Sequence, residues 1–225
     1  MQRYIKEKGI ERKAKLGKIL TFGGLAVVVV IFIYSLQSDV LNNSFLIIVL
    51  IAMLLSQYGI FLDNRWGKHP RIDEVFDQAL KGFDSKYSLF HYELGANHVL
   101  ISPSGVHALI PVILEGEISY DDEKWYQTRI RRGKERTKKI KNLITDAAIE
   151  VRSLTKALKK RLEDQEIPEV KPILVLLHDD ATTNAPNAPI PIVHQKKLKS
   201  LIRKLGKGPT LDEEQVLEVA DSLGF

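Results

Sequence analysis

Two long apolar runs near the start of the chain dominate its hydrophobic pattern. The runs occupy residues 19–36 and 45–62, and neither contains a charged side chain. A helix of about 18 residues is about 27 Å long, close to the ~30 Å hydrocarbon core of a bilayer. A cleaved signal peptide would leave the second run unexplained, and core helices that are apolar on every side are unusual in a small domain. The pattern therefore predicts a two-helix transmembrane hairpin over residues 19–62, with the lipid bilayer as its partner.

Basic residues on either side of the two runs predict the orientation of the hairpin. Seven lysines and arginines precede the first run and three follow the second, whereas residues 37–44 between the runs contain none. Loops rich in Lys and Arg stay on the cytoplasmic side of a membrane. We therefore expect a multi-pass protein of the cell (inner) membrane with both termini in the cytoplasm. Residues 1–18 would form a basic cytoplasmic N-terminus.

The remainder of the chain alternates between helical and strand periodicity. The predicted helices are residues 72–83, 135–164 and 196–205, and the predicted strands are residues 87–94, 98–102, 106–114, 117–120, 124–127, 173–177 and 190–193. This order predicts an α/β domain over residues 71–205, with a mixed sheet flanked by helices. Thr210 and Glu213 form a capping-box signature for a C-terminal helix within residues 210–225.

The residues that usually supply metal ligands or nucleophiles are few or wrongly spaced. Cysteine is absent, which excludes disulfides, thiolate metal sites and cysteine nucleophiles. His91, His98 and His107 lie on strands that can be neighbours, but no histidine spacing matches a zinc signature. Ser104 lies in a turn and lacks the G-x-S-x-G surroundings of a nucleophile elbow. We therefore expect neither a metal site nor a cofactor.

Two segments and the order of the elements resemble a known family. Residues 97–112 read NHVLISPSGVHALIPV and residues 116–127 read GEISYDDEKWYQ; a long helix follows, and PILVLL and PIPIV precede a Lys-rich helix. In this arrangement residues 71–204 resemble the nuclease-related domain (NERD) family of the PD-(D/E)xK nuclease class. Members with an N-terminal membrane hairpin are similar in layout. The resemblance implies a PD-(D/E)xK-like mixed sheet flanked by helices.

The resemblance also implies three catalytic positions, none of which carries the required residue. An active member places an Asp before one core strand, a Glu on the next strand and a Lys two residues later. The carboxylates bind a divalent cation that activates water. The matching positions in this chain are Asn97, Ile110 and Val112. Because two aliphatic side chains cannot bind Mg²⁺, we expect the catalytic centre to be degenerate and the domain to be a binding or scaffold module.

Carboxylates outside these positions leave an enzymatic alternative open. Glu115, Glu117 and Asp121 follow the predicted central strand. Asp179 and Asp180 follow a later strand, at the kind of strand end where α/β proteins bind ligands. A divalent-metal nuclease with displaced carboxylates would use such residues. Solvated strand ends and turns rich in Asp are the ordinary explanation of the same pattern.

A dense basic cluster is the strongest remaining feature. Within thirteen residues only Glu135 opposes eight basic side chains. These are Arg129, Arg131, Arg132, Lys134, Arg136, Lys138, Lys139 and Lys141. Such a cluster neutralises phosphates without regard to base sequence, and Tyr120, Trp125 and Tyr126 nearby are placed to stack on bases. Nucleic acid, anionic lipid headgroups and plain solvation of the surface all remain open as its role.

Overall fold

The structure, a computed structural model, describes residues 1–37, 43–161 and 169–206. It divides into two compact units: one of residues 6–71, and one that joins residues 1–5 to the chain from Ile72 onward. The C-terminal helix predicted within residues 210–225 lies outside the described residues.

The unit of residues 6–71 is a pair of helices. Helix α1 spans Glu7–Gln37 and helix α2 spans Asn43–Leu62. A π-helical turn, Asp63–Gly67, follows α2 directly. Helix α1 begins well before the first apolar run, so the segment predicted as a basic N-terminus is helical from Glu7 onward.

Both α1 and α2 are long and apolar enough to cross a membrane. Their large side chains point outward rather than into a protein core: Phe22 is 69% exposed, Val30 65% and Leu54 62%. The core helix of a soluble protein would bury most of these side chains. This part of the sequence prediction, two helices suited to a bilayer, is confirmed.

Small residues allow α1 and α2 to approach each other closely. A Cβ atom built on Gly24 would lie 2.6 Å from the carbonyl oxygen of Ala52, and one built on Gly59 would lie 2.5 Å from the backbone nitrogen of Thr21. The hydroxyl of Ser56 donates a hydrogen bond of 3.3 Å to the carbonyl oxygen of Thr21. Such contacts are typical of helix pairs in lipid, where close backbone packing replaces the hydrophobic driving force.

The second unit is a mixed α/β structure with two sheets. Its strands are β1 (Gln2–Ile5), β2 (Ser88–His91), β3 (His98–Ser102), β4 (Gly105–Val112), β5 (Glu117–Asp121), β6 (Lys124–Arg131), β7 (Lys134–Lys139), β8 (Val170–Leu176), β9 (Thr182–Asn184) and β10 (Ile192–His194). Its helices are α3 (Ile72–Ala79), α4 (Leu143–Arg161) and α5 (Gln195–Leu205). The large sheet has the order β1-β2-β3-β4-β8-β10 and the small sheet the order β7-β6-β5-β9.

The large sheet is mixed, as the sequence predicts. Strands β2, β3 and β4 pair antiparallel, whereas β1 pairs with β2, and β8 with both β4 and β10, in parallel. Apolar cores lie on both of its faces. One core contains residues of α4 and of the small sheet, and the other contains residues of α3 and α5. Helices therefore flank the sheet on both sides.

Strand β1 corrects the predicted domain organisation. All four of its residues pair with β2. The Nε atom of Arg3 lies 2.8 Å from Oδ2 of Asp77 in α3, and the ring of Tyr4 stacks on Phe90 with centroids 4.5 Å apart. Residues 1–5 therefore belong to the α/β unit, and residues 1–18 do not form a separate N-terminal segment.

The start of α4 is a second correction. The predicted helix over residues 135–164 begins only at Leu143, because Lys134–Lys139 form strand β7. Asn142 is the residue before the first helical turn, and its Oδ1 accepts a hydrogen bond of 3.0 Å from the backbone N–H of Ile144. This bond satisfies one of the free N–H groups that a helix N-terminus leaves, so the helix begins here.

Candidate polyanion-binding site

The basic cluster lies mainly on the hairpin of β6 and β7, and strand geometry brings five of its side chains together. Arg131 lies opposite Lys134, and Arg129 lies opposite Arg136. Directly opposed residues of an antiparallel pair share a face, and successive residues of a strand alternate between faces. One face therefore carries Arg129, Arg131, Lys134, Arg136 and Lys138. We call these five residues the basic face.

The other three predicted residues do not belong to the basic face. Arg132 lies in the turn between β6 and β7, with a φ of 51°. Lys139 lies on the opposite face of the hairpin because it pairs with Tyr126. Lys141 follows β7 and forms an ion pair of 2.6 Å with Asp146 of α4.

The distal part of the hairpin is a two-stranded ribbon. Strand β5 pairs only with residues 124–128 of β6, so the following residues have β7 as their single neighbour. Every residue from Arg131 to Lys139 is exposed. Cations directly opposite each other destabilise a sheet. A bound anion would relieve that repulsion, so the ribbon is electrostatically suited to a polyanion.

Glu115 is the acid that contacts the basic face. Its Oε1 lies 2.9 Å from Nη1 of Arg129 and 3.4 Å from Nη2 of Arg131. A cavity of about 440 Å³ is lined by these three residues together with Gly116, Ile130 and Asp180. The buried Nε of Arg129 has no hydrogen-bond partner among the residues that the structure describes. The N–H group at Nε of Arg129 is thus available to an anion, beside the guanidinium groups of Arg129 and Arg131.

The carboxylates of the nuclease alternative are only partly brought together. Glu115 and Asp180 line the same cavity. Glu117 pairs with Thr128, which places its side chain on the face opposite the basic face, and Asp121 is at the far end of β5. Within residues 1–37, 43–161 and 169–206, no group of three or more acidic or histidine side chains is arranged to hold a metal ion.

The positions that the resemblance assigns to catalysis lie at one end of the large sheet. Val99 pairs with Ala108, and this register continued by two residues sets Asn97 across from Ile110. Ile110 and Val112 are buried in the core that faces α4. Beside them lies a cleft of about 560 Å³ with an aliphatic floor and lysines at its rim. We call it the aliphatic cleft.

Glu150 of α4 contacts Asn97, and the sequence did not predict this contact. Its carboxylate accepts hydrogen bonds from both the backbone N–H and the side-chain amide of Asn97. The two residues are far apart in sequence, and Glu150 has the ordinary appearance of a polar helix residue, so no local signal identifies the pair. A single carboxylate already bonded to an amide does not make a metal site.

His91 and His98 lie in a short chain of hydrogen bonds that ends at Asp77. Nδ1 of His91 lies 2.8 Å from Nδ1 of His98, and Nε2 of His91 lies 3.2 Å from Oδ1 of Asp77. An ionised Asp77 only accepts, so Nε2 of His91 carries the proton of that bond. In the neutral ring Nδ1 then accepts from His98. Asp77 is the partner that sequence spacing could not identify.

His107 is a buried base on β4 whose environment keeps it neutral. Burial, followed by the charge of Lys171, lowers the pKa of His107 to about 4. Its Nε2 lies 2.9 Å from Oγ of Ser104, and its buried Nδ1 has no partner among the described residues. A base with so low a pKa is poorly matched to general-base catalysis near pH 7.

Among the described residues of the α/β unit, the basic face and the aliphatic cleft are the two features that offer a distinct ligand chemistry. Together with the helix pair, they are the observations from which a function can be inferred. Comparison of the chain with protein-family models, with curated proteins and with solved structures finds no match.

Proposed function

We propose that this chain is a membrane-anchored, non-catalytic module of NERD-like type that binds polyanions on the cytoplasmic face of the cell membrane. The observation that carries the proposal is the register of β6 and β7, which collects five cations on one face. Two further features support it: the helix pair supports the anchor, and the buried aliphatic side chains of Ile110 and Val112 support the absence of catalysis.

The helix pair supports the anchor, and β1 supports its topology. Residues 2–5 precede α1, whereas their partner strand β2 follows α2. Two parts of one sheet must lie on the same side of a bilayer. The segment between them must therefore cross an even number of times, which a hairpin of two spanning helices does. The basic residues on both flanks favour the cytoplasm as that side.

Nucleic acid is the polyanion that the ribbon fits best. The major groove of B-DNA admits a two-stranded β-ribbon, and phosphate contacts from Arg and Lys need no particular base sequence. Same-face residues along a strand are about 6.8 Å apart, so the basic face presents cations in regular rows. The resemblance to a nuclease-related family is consistent with a nucleic-acid ligand.

Anionic lipid is a second candidate, which one observation favours. Ile130, next to the turn of the hairpin, is 76% exposed and stands between Arg129 and Arg131. An apolar side chain flanked by cations suits the boundary between headgroups and acyl chains. Nucleic acid remains the primary proposal because Ile130 is on the face opposite the basic face and a single side chain buries little area.

A titration with both ligands tests the proposal and separates the candidates. The full chain, in zwitterionic lipid nanodiscs, is titrated with duplex DNA and with vesicles that contain phosphatidylserine. We expect DNA binding that weakens steeply with salt. Charge reversal of three exposed residues of the basic face, by Arg131→Glu, Lys134→Glu and Arg136→Glu together, should weaken it at least about tenfold and lower the slope of log K against log salt by about 3.

Matched variants make the result specific. Lys156→Glu, Lys159→Glu and Lys160→Glu change the net charge equally on the exposed side of α4 and should leave DNA binding within about twofold. Binding that is insensitive to the hairpin variant, or equally sensitive to both, would remove the basic face as the site. Stronger binding to vesicles, lost on Ile130→Ser, would favour the lipid candidate instead.

The non-catalytic part is tested by cleavage. Supercoiled plasmid is incubated with the full chain and Mg²⁺ or Mn²⁺, and we expect no nicking above the level of a no-protein control. Nicking that chelation stops and that Glu115→Ala or Glu117→Ala abolishes would establish the nuclease with displaced carboxylates.

A further inference from the structure

The aliphatic cleft combines an apolar wall with uncompensated positive charge. This apolar wall is formed by the end of β4 and the residues after it, together with Ile140 and Leu143. Ile113, in this wall, is 66% exposed. A volume of about 560 Å³ lies within the range of about 300–1,000 Å³ for small-molecule sites. An apolar cleft of this size on the surface favours an apolar occupant.

Lysines define one side of the cleft. Lys138, Lys139 and Lys141 line it, and Asp146 is the acidic residue in its lining. Asp146 is paired with Lys141 at 2.6 Å, whereas Lys138 and Lys139 form no ion pair with any residue that the structure describes. Two positive charges therefore remain for an anion bound at the rim.

We propose that the aliphatic cleft binds a single-chain lipid with an acidic headgroup, its acyl chain along Ile110, Val112 and Ile113 and its headgroup at Lys138 and Lys139. A simple anion would use the lysines and leave the aliphatic wall exposed to water. A neutral hydrocarbon would use the wall and leave the two ammonium groups unpaired. Only an amphiphile complements both, because apolar burial and charge pairing occur in the same ligand. The proposal does not depend on DNA binding by the ribbon.

Photo-crosslinking tests the proposal on the full chain in phosphatidylcholine nanodiscs. The probe is a long-chain fatty acid with a diazirine in its chain, and labelled peptides are mapped by mass spectrometry. We expect label on residues 110–114 and 140–143 that excess palmitate removes and that hexadecanol, which lacks the acid, does not remove. Label on α1 and α2 is expected as well and serves as an internal reference, since it reports only the surrounding lipid.

Two variants examine the two halves of the cleft. Ile113→Asp adds a charge to the apolar wall at an exposed position, and Lys138→Ala with Lys139→Ala removes the cationic rim. Each should reduce labelling of the cleft about tenfold relative to the internal reference. Ile149→Asp, at an exposed isoleucine of α4 outside the cleft lining, is the matched control and should leave the labelling unchanged.

Four results would overturn the proposal. One is the absence of label within residues 110–114 and 140–143. Another is equal competition by hexadecanol, which would show that the acid is irrelevant. The third is full competition by butyrate, which would show a simple anion site. The fourth is labelling of the cleft that survives Ile113→Asp, which would show that the apolar wall does not bind the acyl chain.

Discussion

Asn97 and Glu150 are joined by two hydrogen bonds, with the amide residue as the donor in both. The backbone N–H of Asn97 donates to Oε2 of Glu150 at 2.9 Å, and its side-chain amide donates to Oε1. An amide can donate to a carboxylate, whereas an ionised acid cannot. The family resemblance assigns an acid to position 97. Asn97 stands there instead, and it donates both hydrogen bonds to the acid Glu150 on α4.

Asn97→Asp should therefore destabilise the α/β unit at neutral pH. The substitution replaces a donor by a second carboxylate and leaves Glu150 with a like charge, at a cost of about 1–3 kcal/mol in the free energy of unfolding. A like charge raises the pKa of the pair. The stability difference between variant and parent should therefore shrink as pH falls and one carboxyl group takes up a proton. Urea unfolding of the full chain at pH 7 and pH 5 measures both effects.

The double variant Asn97→Asp with Glu150→Gln supplies the control for this prediction. It restores a donor opposite the carboxylate and should regain most of the lost stability at pH 7. If Asn97→Asp is as stable as the parent at pH 7, the pair has no role in stability.

Gly24→Leu should separate α1 from α2, whereas Gly23→Leu should not. A Cβ on Gly24 meets the carbonyl oxygen of Ala52 at 2.6 Å, while one on Gly23 meets nothing within 4 Å. Since the chain has no cysteine, Thr21→Cys with Ser56→Cys gives a disulfide cross-link without background. We expect the cross-linking yield in nanodiscs to fall by at least about half with Gly24→Leu, because backbone contact sets the helix spacing. Equal yields for the two leucine variants would contradict the packing described for the helix pair.

Tyr4→Ala should lower the stability of the α/β unit, although Tyr4 precedes both helices of the pair in the chain. The ring of Tyr4 stacks on Phe90 at 4.5 Å, and its loss should cost about 1–2 kcal/mol in the free energy of unfolding. Tyr4→Phe keeps the stack and loses the exposed hydroxyl bond to Gln2, so it should change stability by less than about 0.5 kcal/mol. Trp125 fluorescence in a Trp66→Phe background reports the unfolding of this unit alone. Equal stability of the alanine and phenylalanine variants would place β1 outside the cooperative unit.

His107 should make the α/β unit sensitive to acid. The folded pKa of His107 is about 4, whereas an unfolded histidine has a pKa of about 6.5. The unfolded state therefore binds the proton first, and the contribution of His107 is complete above pH 6.5 and is lost as pH falls toward 4. The full difference amounts to about 3 kcal/mol.

The variant His107→Gln isolates this contribution, because a neutral amide does not titrate. Urea unfolding at pH 7 and pH 4.5, followed by Trp125, should show a smaller loss of stability in the variant than in the parent. The charge of Lys171 and the hydroxyl of Ser104 both act on His107 and are unchanged in the variant. Identical pH profiles for parent and variant would contradict the prediction.

The sequence predicts the elements whose residues carry their own signal. Strand β4 is a nearly continuous apolar run, and Gly105 has a φ of 112° at the predicted turn before it. Strand β7 carries no such signal, because all six residues are exposed and polar and only its pairing with β6 holds it extended. The basic residues could therefore be listed from the sequence. That five of them share one face follows only from the pairing of β7 with β6.

Long-range partners account for the other differences between sequence and structure. Strand β1 is four residues long, and three α-helices separate it from its partner β2 along the chain. Glu150 and Asp77 likewise find their partners, Asn97 and His91, in distant parts of the chain. Periodicity reports which face of an element is buried, but it does not report which distant residue lies there.

The place of β1 in the sheet also imposes an order of events on synthesis. The strand leaves the ribosome before the helix pair, and its neighbour β2 emerges roughly 85 residues later. At about 5–20 residues per second, β1 waits roughly 4 to 17 s for a partner. During that interval the helix pair is synthesised as well. A ribosome that stalls after α2 would thus release a product with its helix pair complete and the edge strand of its sheet still unpaired.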